Sequence, residues 1–395
     1  MSEKKFIVIG IADSRCPWFP PETMELIRRG KVFSGGRRHR EVVGDILPRD
    51  CEWINVTLPL EDVFGAYERH DEIVVFASGD PWFYGFAVTL RRRFPSAEII
   101  VIPDFNSLQT LAHRIGEGYG EMVNVSLTGR DWKNLDAVLM EDCGMIGVLT
   151  DRRRDPGAIA RRLLYYGYDN YVMWVGENLG NEERERVATL TLEEAAGRGF
   201  EHPNCVILRM QRRRHRYFGL PDDGFAHLDG RINMITKMPV RLVALSMLGI
   251  PERTSMWDVG FCTGSVSIEA KLRNPRLDIT AFEKREESMG LLEYNCRRFG
   301  TPGITGVKGD FLDCDLDSFL RPDAVFIGGH GGRLREMVEK INGLLLPGGV
   351  MVFNSVSEES KKVFEESVAA CGREVCERHT LQLDSHNPIT IIKAI

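Results

Sequence analysis

Short apolar runs alternate with longer amphipathic segments along the first half of the chain. The apolar runs are typical of buried strands, and helix formers with apolar residues on one side fill the segments between them. Helices are predicted at residues 20–30 and 86–94, and strands at residues 5–12, 71–81, 98–104, 145–151, 170–178 and 204–210. This alternation predicts an α/β fold with a largely parallel sheet.

The pattern restarts in the second half with an apolar helix over residues 237–250. Seven strands are predicted after it, at residues 255–259, 279–283, 304–308, 323–328, 349–354, 375–383 and 389–394. Helices are expected between the first six strands, and the short loop before the last strand predicts an antiparallel hairpin. This is an open α/β sheet, which binds ligands beyond the carboxyl ends of its strands at the topological switch point.

A polar segment with glycine and proline separates the two halves and shows no clear periodicity. We therefore expect a first domain over residues 1–211, a linker and entry segment over 212–230, and a second domain over 231–395. The basic run Arg212 to Arg216 within this linker is compatible with a solvated connector or with an anion-binding segment.

Composition narrows the functional classes. The 395 residues are 43% hydrophobic and 27% charged, with a net charge of −6, which argues against a general attraction to nucleic acid. The nine cysteines are dispersed without a CxxC pair, so we expect reduced cytoplasmic thiols and neither a disulfide framework nor a metal site. No apolar run is long enough to predict a signal peptide or a membrane span.

The segment 257–270, WDVGFCTGSVSIEA, reads as a strand, a tight turn and a helix. Dinucleotide-binding turns need GxGxxG, but Cys262 stands where the second glycine would be. The surviving Gly260 and Gly264, with an acid before them, suit a ligand without a pyrophosphate, such as S-adenosylmethionine. Glu283 ends the next strand, where a carboxylate can accept from ribose hydroxyls, and Asp310 ends the third, where it can accept from an adenine amino group.

The predicted fourth and fifth strands end in further motifs. FIGGHGG at residues 326–332 offers backbone amides that can approach a ligand, and its His330 is either an acid or base or an ordinary loop histidine. FNSV at residues 353–356 lacks the Pro-Pro-aromatic sequence of amino-directed nucleic-acid methylases, which argues against that branch.

Together, residues 219–248, 257–270, 307–311 and 322–332 resemble the decarboxylating precorrin methyltransferase domain of cobalamin biosynthesis. The resemblance covers nearly all of residues 219–395 and implies a Rossmann-like class I methyltransferase fold with a seven-stranded sheet. By position in that family, the cofactor contacts are Thr236, Gly260, Thr263, Gly264, Ser265, Glu283, Gly309 and Asp310. Cys262 replaces a family glycine, and Met238-Pro239 replaces the usual Arg-Glu, which leaves the contacts of that pair open.

The motif FASGDPWFYGF at residues 76–86 is by itself compatible with a Gly-Asp-Pro turn backed by core aromatics. Together with residues 32–43, 102–116, 125–131, 147–164 and 176–187 it resembles the tetrapyrrole methylase family, in particular the domain that methylates precorrin-7 at carbon 5. The resemblance implies a two-lobed fold and cofactor contacts from Ser78, Gly79, Asp80, Phe83, Asn106, Ser107 and Thr150. In place of the family's Gly-x-Gly-Pro-Gly, the chain has Gly10-Ile11-Ala12-Asp13.

The two resemblances imply one pathway. They predict a bifunctional enzyme with one S-adenosylmethionine per domain, which methylates a precorrin or cobalt-precorrin macrocycle at carbons 15 and 5 and decarboxylates the ring C acetate. A tetrapyrrole is the expected substrate, and self-association into a homo-oligomer is implied. Since this substrate bears several carboxylates, cationic side chains are expected around it: Arg37, Arg38, His39, Arg130, Lys237 and Arg241.

Other functions stay open on the residues alone. A nicotinamide oxidoreductase conflicts with the broken GxGxxG motif, and nicotinamide binding would decide it. An S-adenosylmethionine-dependent RNA methyltransferase would use the arginine runs and show salt-dependent retention of RNA. A tetrapyrrole-binding protein with one inactive domain would account for the departures at residues 12–13, 238–239 and 262. Whether the substrate contains cobalt is left open.

Overall fold

The computed structural model describes residues 4–12, 14, 17–215, 218–229, 231, 233–384 and 387–395. Asp13 of the first predicted turn, and Arg216, Tyr217 and Gly230 of the predicted linker, lie outside these residues. The chain divides into two compact units. Residues 1–130, 144–161 and 171–211 form the first, and residues 131–143, 162–170 and 212–395 form the second.

The described residues before the linker form ten strands and eight α-helices. The strands are β1 Lys5–Ile11, β2 Val32–Gly35, β3 Glu52–Asn55, β4 Glu72–Ser78, β5 Glu98–Ile102, β6 Val123–Ser126, β7 Met145–Leu149, β8 Tyr171–Glu177, β9 Arg186–Leu190 and β10 Asn204–Met210. The helices are α1 Pro21–Arg29, α2 Arg37–Val43, α3 Leu60–Tyr67, α4 Phe86–Arg93, α5 Ser107–Ile115, α6 Lys133–Met140, α7 Pro156–Tyr165 and α8 Leu192–Ala196.

The first unit contains two five-stranded sheets. The first has the order β3-β2-β4-β1-β5 and is parallel throughout. Its central strands are apolar because helices cover both faces, with Phe6 and Val8 in one core and Ile7 and Ile9 in the other.

The second sheet has the order β6-β7-β10-β8-β9, in which only β6 and β7 pair in parallel. The expectation of a largely parallel arrangement is therefore wrong for this sheet. Between β8 and β9 there are only eight residues, 178–185, too few for the helical crossover that parallel neighbours need.

The second unit contains a seven-stranded sheet of the order β13-β12-β11-β14-β15-β17-β16. Its strands are β11 Ser255–Val259, β12 Asp278–Glu283, β13 Ile304–Lys308, β14 Ala324–Ile327, β15 Val350–Ser355, β16 Val375–Leu381 and β17 Ile389–Ala394. The helices after the linker are α9 Met238–Leu248, α10 Ser265–Arg273, α11 Glu286–Phe299, α12 Leu334–Leu344 and α13 Glu358–Ala370. Three short 3₁₀ helices, Gly44–Ile46, Asp222–Gly224 and Ile250–Glu252, complete the regular elements of the described residues.

This sheet agrees with the predicted open α/β arrangement, including the antiparallel hairpin of β16 and β17. The helix expected between β13 and β14 is absent, since residues 309–323, all of them described, form turns. Aspartates explain the difference: Asp310 Oδ1 accepts from the amide of Leu312, and Asp315 Oδ1 accepts from the amide of Asp317. Such local bonds compete with helix formation.

The strand order places the switch point between β11 and β14. From β11 the chain continues to β12 and β13 on one side of the sheet, and β14 and β15 then pair on the other side. The loops after β11, β12, β13 and β14 therefore gather at one edge. In the described part of the chain, no helix is both long and apolar enough to cross a membrane.

Candidate functional site

The turn between β11 and α10 is held in a conformation that favours glycine. Gly260, Cys262 and Gly264 have φ of 80°, 52° and 76°. A Cβ atom on Gly260 would lie 2.7 Å from the amide nitrogen of Gly329 in the loop after β14. The two loops thus approach each other closely, and Gly260 is needed for that approach.

Glu283, at the end of β12, fixes the same turn. Its Oε2 accepts from the amide of Cys262 at 3.1 Å, and its Oε1 accepts from the amide of Lys284 at 2.9 Å. The guanidinium of Arg285 lies 3.0 Å from the carboxylate, which is almost fully buried. Glu283 therefore supports the glycine turn as well as facing the space beside it.

A cavity of about 400 Å³ lies at these strand ends. It brings together six of the residues predicted from the sequence, namely Thr236, Gly260, Glu283, Gly309, Asp310 and His330. Three others do not line it. Thr263 and Ser265 are buried behind the turn, and a Cβ on Gly264 would meet Leu292 and not the cavity.

Asp258 lines this cavity and was missing from the predicted contacts. It is fully buried; its Oδ2 accepts from the hydroxyl of Ser267 at 2.6 Å, while its Oδ1 has no hydrogen-bond partner among the described residues. Burial raises the pKa of Asp258 to about 7. Its place two residues before the first glycine was the available signal in the sequence.

Two potentially reactive side chains also face the cavity. The Nδ1 of His330 accepts from the amide of Gly332 at 3.2 Å, which leaves the proton of the neutral imidazole on Nε2; burial lowers its pKa. The thiol of Cys262 donates to the carbonyl of Met234 at 3.0 Å, and burial raises its pKa to about 11. Cys262 is therefore a protonated thiol at neutral pH and a poor nucleophile.

The first unit has its own cavity, of about 470 Å³, at the carboxyl ends of β1 and β4. Gly79, with φ of 60°, donates to the carbonyl of Ile11 at 3.0 Å and accepts from the amide of Asp104 at 3.2 Å. A Cβ on Gly10 would lie 1.9 Å from the carbonyl oxygen of Gly79. Gly10 is thus required here, although the rest of the family's glycine sequence is absent.

This cavity brings together most of the residues predicted for it. Ser78, Gly79, Asp80, Phe83, Asn106, Ser107, Arg38 and His39 line it. Thr150 does not, because its hydroxyl donates to Asn204 at 2.6 Å, and Asn204 lines the cavity in its place. Tyr84 and Phe105, which also line it and are partly exposed, were not predicted, although Tyr84 stands within the aromatic motif.

Ser78 joins the two polar side chains of α2. Its hydroxyl oxygen lies 3.1 Å from the guanidinium of Arg38 and 3.0 Å from Nε2 of His39. The Nδ1 of His39 accepts from the amide of Gly36 at 3.2 Å, so Nε2 bears the proton of the neutral ring. Burial, assisted by the Arg38 charge, lowers the pKa of His39 to about 4. His39 is therefore a neutral donor, and the expectation of a cation at this position is wrong.

The other predicted cations occupy different environments. Arg37 is exposed and pairs with Glu41, Arg130 lies over the ring of Tyr84 at 5.2 Å, and Lys237 directly precedes α9. Arg241 is fully buried: it bonds Glu269 at 2.5 Å, Asp222 at 3.2 Å, and the carbonyls of Leu220 and Thr236. This position removes Arg241 from the residues able to bind substrate, since its side chain is fully buried and all three guanidinium nitrogens are hydrogen-bonded within the protein.

The residues present fit a nucleoside-type cofactor in both cavities. Each has a glycine at which a Cβ would clash with the backbone of the neighbouring loop. The second also has an unpaired acceptor on Asp258 and carboxylates at successive strand ends. Among the described residues, no group of three His, Cys, Asp or Glu side chains is placed to hold a metal ion.

Two family models match the chain. The family described as Tetrapyrrole (Corrin/Porphyrin) Methylases matches residues 5–196, and the family described as Precorrin methyltransferase domain matches residues 224–393. The two matched ranges contain the first and the second cavity, except for a few residues at the edge of the first.

Relatives match the whole chain or one part of it. A precorrin-6Y C(5,15)-methyltransferase [decarboxylating] of Sinorhizobium sp is 32% identical over 378 residues, covering 92% of this chain and 88% of the relative. A cobalt-precorrin-6B C(15)-methyltransferase (decarboxylating) of Salmonella typhimurium is 36% identical over 39% of this chain and 79% of its own. A cobalt-precorrin-7 C(5)-methyltransferase of the same organism is 29% identical over 51% of this chain and 97% of its own.

Proposed function

Because the chain belongs to the precorrin-6Y C(5,15)-methyltransferase (decarboxylating) family, we propose that the two cavities described above bind S-adenosylmethionine and that each serves one methyl transfer. The enzyme is a methyltransferase of cobalamin biosynthesis that acts on carbons 15 and 5 of a precorrin-type macrocycle, with decarboxylation. The observation that supports two reactions in one chain is the presence of two separate glycine-walled cavities of similar volume.

We assign one reaction to each domain. Residues 231–395 are proposed to methylate carbon 15 and to release carbon dioxide from the ring C acetate, and residues 1–211 to methylate carbon 5. The separate Salmonella relatives support this division, since each of their names gives one of the two reactions and each spans about the length of one domain.

S-adenosylmethionine, when bound, supplies an electrophilic methyl group on a sulfonium, so no protein nucleophile is needed. In the second domain, Gly260, Thr236, Glu283, Gly309 and Asp310 are proposed to hold it. The task left to the chain is to position the substrate carbon, exclude water and stabilise charge. This agrees with the protonated thiol of Cys262.

In the first domain, Ser78, Gly79, Asp80, Phe83, Asn106 and Ser107 are proposed to hold the cofactor. Asn106 caps α5, where its side chain accepts from the amide of Gln109, which fixes its orientation at the cavity wall. The Nε2 proton of His39 is held on Ser78, so that pair orients a hydroxyl and does not act as a base.

Substrate recognition is proposed to use charge. Arg37, Arg38 and Arg130 are the cations offered to the macrocycle carboxylates beside the first cavity, and Lys237 beside the second. His330 is the remaining candidate for moving a proton, at Nε2. A cytoplasmic location is supported by the dispersed cysteines, since the eight that the structure describes are all free thiols, and self-association is proposed from the family resemblance.

Titration calorimetry with S-adenosylmethionine tests the cofactor assignment. The expected result is two binding events per full-length chain. Absence of binding would overturn the assignment, and a single event would overturn the proposal that both cavities take the cofactor.

A further inference from the structure

A third cavity of about 690 Å³ lies in the second unit and has no part in the proposed reactions. One wall is the apolar face of α9 with the turn after it, and another is formed by the last residues of α10 and α11. Its apolar lining includes Leu242, Leu245, Ile250, Pro251, Leu272 and Phe299. The volume is within the range of small-molecule sites.

A buried polar layer separates this cavity from the cofactor cavity of the same unit. Glu269 and Leu220 line the third cavity, and Thr236 lines the cofactor cavity. Arg241 lies between them: its guanidinium bonds the carboxylate of Glu269, the carbonyl of Leu220 and the carbonyl of Thr236. The layer is hydrogen-bonded on both sides, so the third cavity is a distinct space and not an extension of the cofactor site.

Three arginines line the cavity, namely Arg214, Arg273 and Arg298. Among the described residues, Arg273 and Arg298 have no carboxylate within ion-pair distance, and the guanidinium of Arg273 instead lies 5.4 Å from the ring of the exposed Phe218. Arg214 stacks over the ring of Tyr168 at 4.4 Å. The one carboxylate in the wall, Glu269, is already neutralised by Arg241.

Unpaired guanidinium groups beside a hydrophobic wall favour a ligand with the complementary distribution of groups. We propose that this cavity binds an amphipathic carboxylate with a hydrophobic ring body and carboxylates at its edge, held by Arg273 and Arg298. Resting on the proposed function, the ligand class is the tetrapyrroles on which the enzyme acts. The cavity is then a second tetrapyrrole site, away from both methyl transfers.

The test uses full-length protein saturated with S-adenosylhomocysteine and the metal-free tetracarboxylate coproporphyrin III as the probe. Hydrogen exchange read by mass spectrometry locates the binding through the amides of residues 218–224 and of α9. Arg273→Gln/Arg298→Gln removes two exposed charges, and Arg321→Gln/Arg335→Gln is the matched control on other surfaces of the same unit. Palmitate, a carboxylate without a ring, is titrated in parallel.

The expected result is slower exchange in these segments on adding the porphyrin, with about tenfold more porphyrin needed in Arg273→Gln/Arg298→Gln and no change in the control. Unchanged exchange in the wild type, or equal protection in both variants, would overturn the site. Protection by palmitate but not by the porphyrin would overturn the ligand class. Calorimetry of S-adenosylhomocysteine on the same variants separates these outcomes from a failure of the proposed function, because cofactor binding is expected to stay normal in all of them.

Discussion

The two cofactor cavities of this chain are similar in volume but differ in the groups that face them. The cavity of the second unit has carboxylates at the ends of three neighbouring strands, Asp258, Glu283 and Asp310. In the cavity of the first unit, neutral donors and aromatic rings dominate, including Ser78, His39 and Asn106 with Tyr84 and Phe105 nearby. Among the described residues that line it, Asp80 is the one acid at a strand end, and it already accepts from the amide of Trp82.

The comparison indicates that two cavities proposed for the same cofactor can be lined by different kinds of side chain. In both cavities two loops come close together at a glycine, and this close contact limits the space available. Charge then differs: the buried carboxyl of Asp258 titrates near neutral pH, while His39 is neutral throughout that range. The two sites should therefore be separable by substitution and by pH.

The largest expected effect on cofactor binding comes from adding a Cβ at the glycines where two loops meet. Gly10→Ala would place a Cβ 1.9 Å from a backbone oxygen, and Gly260→Ala would place one 2.7 Å from a backbone nitrogen. Each should weaken cofactor binding at its own site by more than about a hundredfold and leave the other site intact. Calorimetry with S-adenosylhomocysteine would show one binding event in each variant.

Gly118→Ala and Gly343→Ala are matched controls, because a Cβ at either position meets nothing within 4 Å. Both should keep two events. Loss of both events in Gly10→Ala, with its folding intact, would contradict the independence of the sites.

Glu283→Ala is expected to have the next largest effect. It leaves the amide of Cys262 and the guanidinium of Arg285 without their acceptor, and it removes a carboxylate from the cavity. In the Gly10→Ala background, which isolates the second site, affinity for S-adenosylhomocysteine should fall about thirtyfold. Unchanged affinity would show that Glu283 contributes nothing to cofactor binding.

A pH dependence should distinguish the sites further. The pKa of Asp258 is raised from its ordinary 3.8 to about 7. The folded state therefore binds its proton more tightly than the unfolded state, and this contribution to stability is complete below pH 3.8 and lost as pH rises through 7. The free acceptor of the carboxylate form suits the cofactor's ammonium group. As the pH is raised toward 7, affinity for the cofactor at the second site should therefore increase by up to about tenfold per pH unit.

Asp258→Asn should remove both the affinity slope and the loss of unfolding free energy between pH 4 and 7. The first site should show no slope between pH 5 and 8, since the pKa of His39 is lowered to about 4. Calorimetry across this pH range in Gly10→Ala and in Gly260→Ala measures each site alone. Equal pH dependence of affinity at both sites would contradict the proposed difference between Asp258 and His39.

Cys262→Gly should give the smallest effect. The residue has φ of 52°, which costs a side chain about 1 kcal/mol, and glycine relieves that strain while losing the thiol bond to Met234. Cofactor affinity should be unchanged or up to about threefold tighter. Abolished turnover with binding intact would instead give the thiol a role in the reaction.

The fold was largely predictable because apolar runs mark buried strands, and all seven strands predicted after the linker agree with the structure to within two residues at each end. The prediction of a helix between β13 and β14 was wrong because aspartate side chains there accept hydrogen bonds from nearby backbone amides. The pattern of apolar residues along the chain gives no sign of such bonds. Site residues on strand-end loops, such as Gly260 and Ser78, were predictable from motif position.

Burial was the part that the sequence could not provide. Arg241 and His39 were predicted as cations for substrate, but Arg241 is fully buried with its own partners and His39 has its pKa lowered by desolvation. Asp258 was recognised as part of the turn pattern but left out of the predicted contacts for the same reason, since its free oxygen becomes apparent only when Ser267 is seen to bond the other one.

The most direct test of the two-site account is the mass change of the substrate. Metal-free and cobalt-containing precursors are incubated with S-adenosylmethionine and the wild type, Gly10→Ala or Gly260→Ala. The wild type should add two methyl groups and remove one carbon dioxide from at least one precursor. Gly10→Ala should add one methyl and still remove carbon dioxide, and Gly260→Ala should not decarboxylate. Two methyl groups added by Gly10→Ala, or a single methyl added by the wild type, would contradict the account.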